Sequence, residues 1–505
     1  MLHGRSRSAA RAAHAWIITA ALLLAGCGGD GLGGGLGGGS SAGNAQSVAK
    51  YQDNITADEA YHLLRRAAFG ATPEQVQAAV ERGLSATVDD LLTAKPEPAT
   101  LAELEETYEN DGRKRWLVEL LESPNPLRER LTLFWHDRFA TSRRVADGRD
   151  DGLALLHLDM LRRNALGNYR AFLEELTIDP LMLIWLNGAE SPKDNPNENY
   201  AREFWELFTL GRDVLYTEQD IREAARAFTG ITLLREREQN ARPIYDLINH
   251  DETPKTIFPA RAESANYNYL TVIDLTLEQP EAARYVARNL FACFVHDHPT
   301  DAVVDELART FAENDFEIAP LVRQILTSQA MFSSEARGGH VLSPVEHVVG
   351  VARTLDMHTI SEESQNGTLD RLARDLADAG QDLLNPPGVQ GWTEGPAWLE
   401  DQWVISRVEA LGRHMEFGPE HTEDLPYHLL PPRSTWDQRE VRTRIVDAMA
   451  AVFHLELTDV EKDIFIEVLD QNGWRAFHLD EPDDQPRHVA EMIRLMCMHD
   501  GVLGS

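Results

Sequence analysis

The chain from Asn195 to Gly211 reads NPNENYAREFWELFTLG and contains the signals for both ends of a helix. Asn195 is a residue type that caps helices, Pro196 suits the first helical position, and Glu198 lies three residues after the cap, as in a capping box. Gly211 is a common helix terminator. The sequence therefore predicts a helix over 195–211.

Glu203 interrupts the apolar side of this predicted helix. At about 100° per residue it falls between Leu207 and Leu210, on the side that also carries the aromatic residues. An ionised carboxylate in apolar surroundings costs several kcal/mol unless a charge or a hydrogen bond stabilises it. Two interpretations remain open for Glu203, namely an ion pair that joins two helices, or a general acid/base or metal ligand.

The first 26 residues are typical of a bacterial lipoprotein signal. Three arginines precede the apolar run 15–25, which is too short to span a bilayer stably. The following Leu-Ala-Gly-Cys, which ends at Cys27, resembles the lipobox of bacterial lipoproteins, whose cysteine is lipidated. We therefore expect a membrane anchor at Cys27, with an ordinary cleaved signal peptide as the alternative.

Residues 27–50 are rich in glycine and serine and are predicted to form a flexible tether. By the same resemblance, Gly28 after the cysteine favours the outer membrane over retention in the inner membrane. We therefore expect a cell-envelope protein that is anchored in the outer membrane and faces the periplasm or the cell surface.

The charge balance excludes some partners. Removal of residues 1–26 takes away three of 48 basic residues and no acidic one, which leaves 45 basic against 82 acidic residues and a formal charge of −37. Nucleic acid and anionic lipid surfaces are poor partners because a field of this sign repels phosphates. Metal cations and cationic ligands would be attracted, although an acidic surface also serves solubility.

Helical periodicity dominates residues 51–505, from the capping box at Thr56 and Glu59 onward. Only the stretch 231–277 contains candidate strands, at 231–234 and 269–273. The sequence thus predicts an all-α domain with a small irregular or β-hairpin insertion at 231–277 and a candidate seam near 333–342. Cys293 and Cys497 could pair in an oxidising compartment, but the apolar surroundings of Cys293 favour a free buried thiol.

Six motifs together resemble one bacterial family, the domain of unknown function 1800 family. They are HLLRRAAFG at 62–70, LFWHDRF at 133–139, the 197–211 helix, ARAFTG at 225–230, SPVE at 343–346 and NPPGVQGW at 385–392. The resemblance implies a mostly helical extracytoplasmic protein and brings no established activity. The family usually has asparagine and a second histidine where this chain has Asp137 and Arg138, which disfavours a metal site on that histidine pair.

A polar pocket is the predicted functional site. Its candidate catalytic residues are Glu203, Glu198, His136, Asp137 and Arg202, and its candidate substrate contacts are Trp392, Asn199 and Asn197. Because a carboxylate among apolar residues needs a cation, we expect Arg138, Arg65 or Arg66 to meet Glu203. The capping box also explains Glu198, and burial as an anchor for its turn is the alternative for Trp392.

His250 and Asp251 form a second candidate site in the insertion. The pair could supply ligands to a divalent metal or act in acid/base catalysis, and hydrogen bonding within a loop is the alternative. A divalent metal is the only cofactor that the sequence suggests, and the absence of any cofactor is the other option.

Familiar enzyme motifs are absent from the sequence. It contains no Gly-x-Ser-x-Gly elbow, His-Glu-x-x-His helix, phosphate-binding glycine loop or Cys-x-x-Cys pair. The remaining enzyme hypothesis is a hydrolase or lyase that acts on an envelope or extracellular polymer, such as a polysaccharide, through carboxylate chemistry. The alternative is a non-enzymatic scaffold or binding lipoprotein with an envelope protein as its partner.

Overall fold

The computed structural model describes residues 46–98, 111–145, 151–212, 214–235, 241–258, 264–356, 365–417, 439–470 and 485–504. The predicted signal peptide, Cys27, most of the tether and the first part of a helix predicted over 99–121 lie outside these residues.

The described residues form α-helices and one small sheet. The helices are α1 (Ala57–Ala68), α2 (Pro73–Arg82), α3 (Leu84–Leu92), α4 (Gly112–Glu122), α5 (Pro126–Arg138), α6 (Gly152–Asn164), α7 (Tyr169–Thr177), α8 (Pro180–Trp185), α9 (Glu198–Glu203), α10 (Glu218–Phe228), α11 (Tyr269–Leu277), α12 (Pro280–Phe294), α13 (Asp301–Glu313), α14 (Ile318–Leu326), α15 (Pro344–Thr354), α16 (Gln365–Asp378), α17 (Asp401–Phe417), α18 (Arg439–Val452), α19 (Asp459–Asp470), α20 (Gln485–Met496) and α21 (Asp500–Leu503). Strands β1 (Ile231–Arg235) and β2 (Ala241–Tyr245) pair antiparallel, with Ile231 opposite Tyr245.

This architecture confirms the predicted all-α class with a β-hairpin insertion. The helix starts follow from capping residues in the sequence: the Thr56 hydroxyl accepts from the Glu59 amide at 3.2 Å, and the Thr56 amide donates to the Glu59 carboxylate at 2.8 Å. Among the described helices, none is both long and apolar enough to cross a membrane.

The second candidate strand, at 269–273, is wrong because these residues form helix α11. The Asn268 side chain accepts from the Thr271 amide at 3.1 Å and caps this helix. The buried residues Val272, Ile273, Thr276 and Leu277 recur with helical spacing. In the sequence, the β-branched residues of this short apolar run resemble a strand.

The helix predicted over 195–211 is shorter and less regular than expected. Helix α9 begins at Glu198 with Asn197 as its cap, so the predicted cap at Asn195 and its capping box with Glu198 are wrong. From Phe204 to Thr209 the chain continues as a π-helix. Its carbonyl groups are satisfied by side chains, since the Thr209 hydroxyl donates to the Phe204 carbonyl at 2.6 Å and the Tyr285 phenol donates to the Leu207 carbonyl. Gly211, with φ of +90°, follows the π-helix.

Two hydrophobic cores divide the interior. The first contains buried residues between Val48 and Ala336, and the second contains buried residues of α4 and α6 together with most of those after Val345. Helix α5 contributes to both, because Leu131 lies in the first core and Leu133 lies in the second. Cys293 and Cys497 are buried free thiols.

Buried arginines join distant parts of the chain. On α1, the Arg65 guanidinium donates to the carbonyls of Gly501 and Val502 in the last helix, and Arg66 donates to the Phe294 carbonyl at 2.8 Å. Arg130 of α5 forms an ion pair with Glu346 of α15. These contacts connect the first core to the second.

Glu346 is the acidic residue at the centre of this network. Its carboxylate accepts from the Ser343 amide at 2.7 Å and from His340 at 3.1 Å, in addition to its pair with Arg130. Burial opposes ionisation, but Arg130 and His340 outweigh it and hold the pKa of Glu346 well below its usual range.

We expect Glu346→Gln to destabilise the protein by about 3–5 kcal/mol, because it leaves the buried Arg130 without its counter-charge. Because the pKa of Glu346 is depressed in the fold, its stabilisation is present above pH about 4.5 and is lost as the pH falls below that value. Urea unfolding at pH 7 and at pH 4 measures both effects. Glu175→Gln, in an exposed pair with Arg163, is the control and should change stability by less than about 0.5 kcal/mol. Equal stability of both variants would contradict the prediction.

Candidate functional site

The C-terminal end of α5 and the turn 385–395 form one polar site. The wheel of α5 placed His136 and Asp137 outside the apolar side, yet His136 is 1% exposed because the second core covers that side of the helix. The His136 ring stacks on Trp392 with ring centroids 5.2 Å apart. The structure therefore brings His136, Asp137 and Trp392 together.

The surroundings of His136 are buried and incompletely hydrogen-bonded. His157, whose Nδ1 lies 2.9 Å from the Asp179 carboxylate, has its ring centroid 6.0 Å from that of His136. The rings of Trp116, His157 and Trp392 pack against the His136 ring, and each of these four rings has one buried nitrogen that finds no hydrogen-bond partner among the described residues: Trp116 Nε1, His136 Nδ1, His157 Nε2 and Trp392 Nε1. Burial, reinforced by His157, holds the pKa of His136 well below its usual value, so this histidine is neutral.

Asp137 holds the turn against the helix. One carboxylate oxygen accepts from the Trp392 amide at 2.7 Å. Gly391 has φ of +84°, and a Cβ at this position would lie 2.2 Å from the same carboxylate. Only glycine therefore allows the turn to approach Asp137 so closely.

Arg138 and Glu394 complete the site on its solvent side. The Arg138 guanidinium forms an ion pair with the Glu394 carboxylate and lies 5.7 Å from the centre of the Phe134 ring. The Glu394 side chain is 54% exposed, whereas that of Arg138 is 28% exposed. The acid that Arg138 was expected to need is thus Glu394, not Glu203.

The electrostatics of the site favour a protonated Asp137. Burial, opposed by Arg138 and reinforced by the Glu394 carboxylate, raises the pKa of Asp137 to about 7. Two carboxyl groups near one guanidinium, one of them a proton carrier at neutral pH, can act as an acid/base pair. Tyr285 is adjacent, since both Arg138 and Glu394 influence its pKa, which burial raises.

The predicted pairing of Glu203 with Arg138, Arg65 or Arg66 is wrong, because each of these guanidinium groups is engaged elsewhere. Glu203 is half-buried, and no ion pair or hydrogen bond is found for it among the described residues. Burial and the nearby Glu206 carboxylate raise the pKa of Glu203, and Arg212 and Arg202 partly oppose the rise. The π-helix that starts at Phe204 changes the rotation per residue, so the regular helical wheel does not apply beyond Glu203.

The other predicted residues of the 195–211 stretch make their hydrogen bonds and ion pairs in a separate network, and none of these contacts is with His136 or Asp137 among the described residues. Arg202 pairs with Glu218 at 2.7 Å and with Glu198 at 3.3 Å. Asn197 and Asn199 have structural roles, because their side-chain amides donate to the carbonyls of residues 187 and 186 at 3.1 and 3.2 Å. The single pocket that the sequence predicted is therefore divided between two places. The indole of Trp392, which is 6% exposed, is occupied by its stacking on His136.

His250 and Asp251 hold the insertion to α10. Nδ1 of His250 lies 2.9 Å from the Thr229 carbonyl, and the Asp251 carboxylate pairs with Arg226 at 2.7 Å. Burial is outweighed at Asp251 by hydrogen bonds from Arg226 and Thr253, which lower its pKa. In the part of the chain that is described, no group of three or more His, Cys, Asp or Glu side chains is arranged to hold a metal ion.

A cleft of about 570 Å³ is lined by α10, by residues of the segments 215–217 and 254–258, and by Gln279. Its walls combine the apolar side chains of Leu215, Pro254 and Phe258 with the polar ones of Thr217, Gln219, Asp220, Glu223, Arg226, Thr256 and Gln279. Its charged groups are already paired: Glu223, for example, accepts from Arg226 at 2.6 Å and from the Thr256 amide at 3.1 Å. Such a cleft is suited to binding.

Sequence reasoning missed Glu394, Tyr285 and His157. Glu394 follows the NPPGVQGW motif by two residues, so the motif itself was the available signal. Nothing in the sequence connects Tyr285 or His157 to α5, because both reach the site only through helix packing.

The fold and the site define a helical protein in which the end of one helix and a glycine-containing turn place two carboxyl groups around an arginine. The chain belongs to the DUF1800 family, described as a protein of unknown function, whose family model matches residues 62–484. No curated protein and no solved structure matches the chain.

The raised pKa of Asp137 predicts a pH dependence of stability. Between pH about 4 and about 7 the folded state binds a proton that the unfolded state has lost, so stability falls as the pH rises through this window. Asp137→Asn removes this loss. Relative to the wild type, we expect the variant to gain about 2–3 kcal/mol between pH 5 and pH 8.

Urea unfolding at the two pH values checks this expectation. Glu122, whose pKa burial also raises to about 7, is present in both proteins and cancels in the comparison. Glu175→Gln should show the same difference from wild type at both pH values. A difference for Asp137→Asn that does not change with pH would contradict the assigned pKa.

Proposed function

We propose that this protein is a lipid-anchored, extracytoplasmic enzyme that cleaves an envelope or extracellular polymer, such as a polysaccharide, by acid/base chemistry at Asp137 and Glu394. One observation carries the proposal: two carboxyl groups flank Arg138, and the pKa of one of them lies near neutrality. Perturbed carboxyl groups of this kind are concentrated at functional sites.

Each group has a defined part in the cleavage of a glycosidic bond. Protonated Asp137 donates its proton to the leaving oxygen as the carbon–oxygen bond breaks. The Glu394 carboxylate, oriented by Arg138, accepts a proton from the water that attacks the carbon. Proton transfer through solvent then restores both groups. Because Glu394 is exposed, a substrate too large for a closed pocket can reach it.

The proposed location rests on the order of features at the N-terminus. Arginines, an apolar run and Leu-Ala-Gly-Cys precede a flexible tether, as in bacterial lipoproteins. The formal charge of −37 disfavours phosphate-rich substrates and is compatible with a neutral glycan.

We expect Asp137→Asn and Glu394→Gln each to lower the rate of polymer cleavage by about 10²–10⁴-fold, because each removes one member of the acid/base pair. In the wild type, the rate should decline above pH about 7 as Asp137 loses its proton. The assay is the release of reducing ends from purified envelope polysaccharides.

Glu203→Gln is the matched control, since the Glu203 carboxyl also has a raised pKa but makes no hydrogen bond with Asp137 or Glu394 in the part of the chain that the structure describes. Urea unfolding establishes that all three variants are folded. Cleavage at the wild-type rate by Asp137→Asn or Glu394→Gln would exclude that residue from catalysis. A comparable loss in Glu203→Gln would direct attention to the surface network instead.

A binding lipoprotein is the second candidate function, and the cleft along α10 favours it. Its volume of about 570 Å³ falls in the range of small-ligand sites, and its walls combine apolar surface with a few fixed polar groups. Glu223 and Arg226 form an ion pair with each other. These two groups are therefore better suited to recognising a ligand than to transferring protons.

Leu215→Trp should fill this cleft and weaken the binding of soluble envelope-polysaccharide fragments at least tenfold. Val214→Trp is the control, because Val214 is 53% exposed but does not line the cleft. Isothermal titration of both variants measures the difference. Equal affinities in the two variants would exclude the cleft as the binding site.

A further inference from the structure

The turn that follows strand β2 exposes two adjacent aliphatic side chains. Leu247 is 66% exposed and Ile248 is 79% exposed, and the neighbouring Ile244 and Tyr245 are 39% and 37% exposed. Large apolar side chains that cluster on the surface of a soluble domain usually mark an interaction site.

The turn is rigid, so these side chains are held outward. The Asp246 carboxylate accepts from the Ile248 amide at 2.9 Å and from the Asn249 side chain at 2.7 Å. The Asp246 amide donates to the Gly230 carbonyl at 2.6 Å, which fixes the turn to the start of β1. Exposure of Leu247 and Ile248 is therefore a property of the fold, and their insertion into a partner needs no rearrangement of the turn.

We propose that Leu247 and Ile248 insert into the surface of the lipid bilayer that holds the N-terminus of the chain. This inference rests on the lipid anchor of the proposed function. Beside the aliphatic pair are Tyr245 and Lys193, and the Lys193 ammonium donates to the Ile248 carbonyl at 2.8 Å. Aromatic residues and lysine accompany apolar residues where proteins meet the polar boundary of a membrane.

The length of the tether makes the contact accessible from any side of the domain. The described chain begins at Gln46, and the 19 residues from Cys27 to residue 45 can extend to on the order of 60 Å. A chain of this size has a radius of gyration of about 23 Å. Because the anchor at Cys27 holds the domain next to the bilayer, the effective concentration of the membrane surface around the turn is high. Insertion of a small apolar area is then sufficient for a stable orientation of the domain.

A bilayer fits this surface better than an acidic protein partner or an anionic membrane. The formal charge of −37 opposes both of these. Leu247 and Ile248 require only an apolar layer into which they can insert, and the acyl chains of zwitterionic lipids provide one. Insertion on this side would also orient the domain relative to the membrane.

The test uses the full chain from Cys27 onward, coupled through this cysteine to maleimide headgroups in phosphatidylcholine vesicles. Cys293 and Cys497 are buried and do not compete. The vesicles contain a lipid with a photoreactive diazirine in its acyl chain, and mass spectrometry locates the adducts after irradiation. We expect adducts within 241–250, reduced at least tenfold by Leu247→Ser combined with Ile248→Ser.

Val460→Ser is the control, because Val460 is 65% exposed and distant in sequence from the turn, and it should leave the adducts in 241–250 unchanged. The same adduct yield in the double variant, or adducts concentrated on another surface, would overturn the proposal. If residues 241–250 carry no lipid adducts and the turn instead captures an envelope protein, the surface belongs to a protein partner and the proposal is overturned.

Because Cys27 is coupled chemically to the vesicles, the adduct pattern does not depend on whether the cell lipidates this cysteine. The anchor is tested separately by Cys27→Ser, which should move the protein from the membrane fraction to the soluble fraction. A membrane fraction unchanged by Cys27→Ser would refute the anchor, whereas loss of the adducts alone would refute the inserted turn.

Discussion

The ion pair between Arg130 and Glu346 is the contact on which the arrangement of the two cores depends. It joins α5 to α15 where water is excluded, and such a pair is stable only when hydrogen bonds satisfy both partners. Ser343 and His340 do so for Glu346. The pair also joins the two cores directly, because Arg130 lies on α5, which contributes to both, and Glu346 lies on α15, whose buried residues belong to the second.

Local signals made much of the fold predictable. Capping residues such as Thr56 and Ser343 define helix starts through contacts within four residues, which a sequence displays directly. The errors have non-local causes. Residues 269–277 carry a local cap at Asn268, but the burial of the apolar side of this helix involves distant residues such as Trp205, whose indole donates to Thr276 at 2.9 Å. The π-helix likewise depends on the Tyr285 phenol, which lies 78 residues from its acceptor.

The site was predicted in part for the same reason. His136, Asp137 and Trp392 lie together in the structure, and the two motifs that contain them can each be recognised in the sequence. Glu203 was misplaced because a helical wheel assumes a regular helix, and α9 becomes a π-helix at the next residue. Glu394 was missed because it lies 256 residues from Arg138 and just outside the motif that marks its turn, so nothing in the sequence pairs it with Arg138.

The contact of Arg65 with the carbonyls of Gly501 and Val502 also has a consequence for biogenesis. A helix made early in synthesis carries a charge whose acceptors emerge from the ribosome more than 430 residues later. Until those residues are made, Arg65 lacks the carbonyl groups of Gly501 and Val502, and the packing around the first helix is incomplete. Packing around the first helix is therefore completed only after the last residues of the chain have been synthesised.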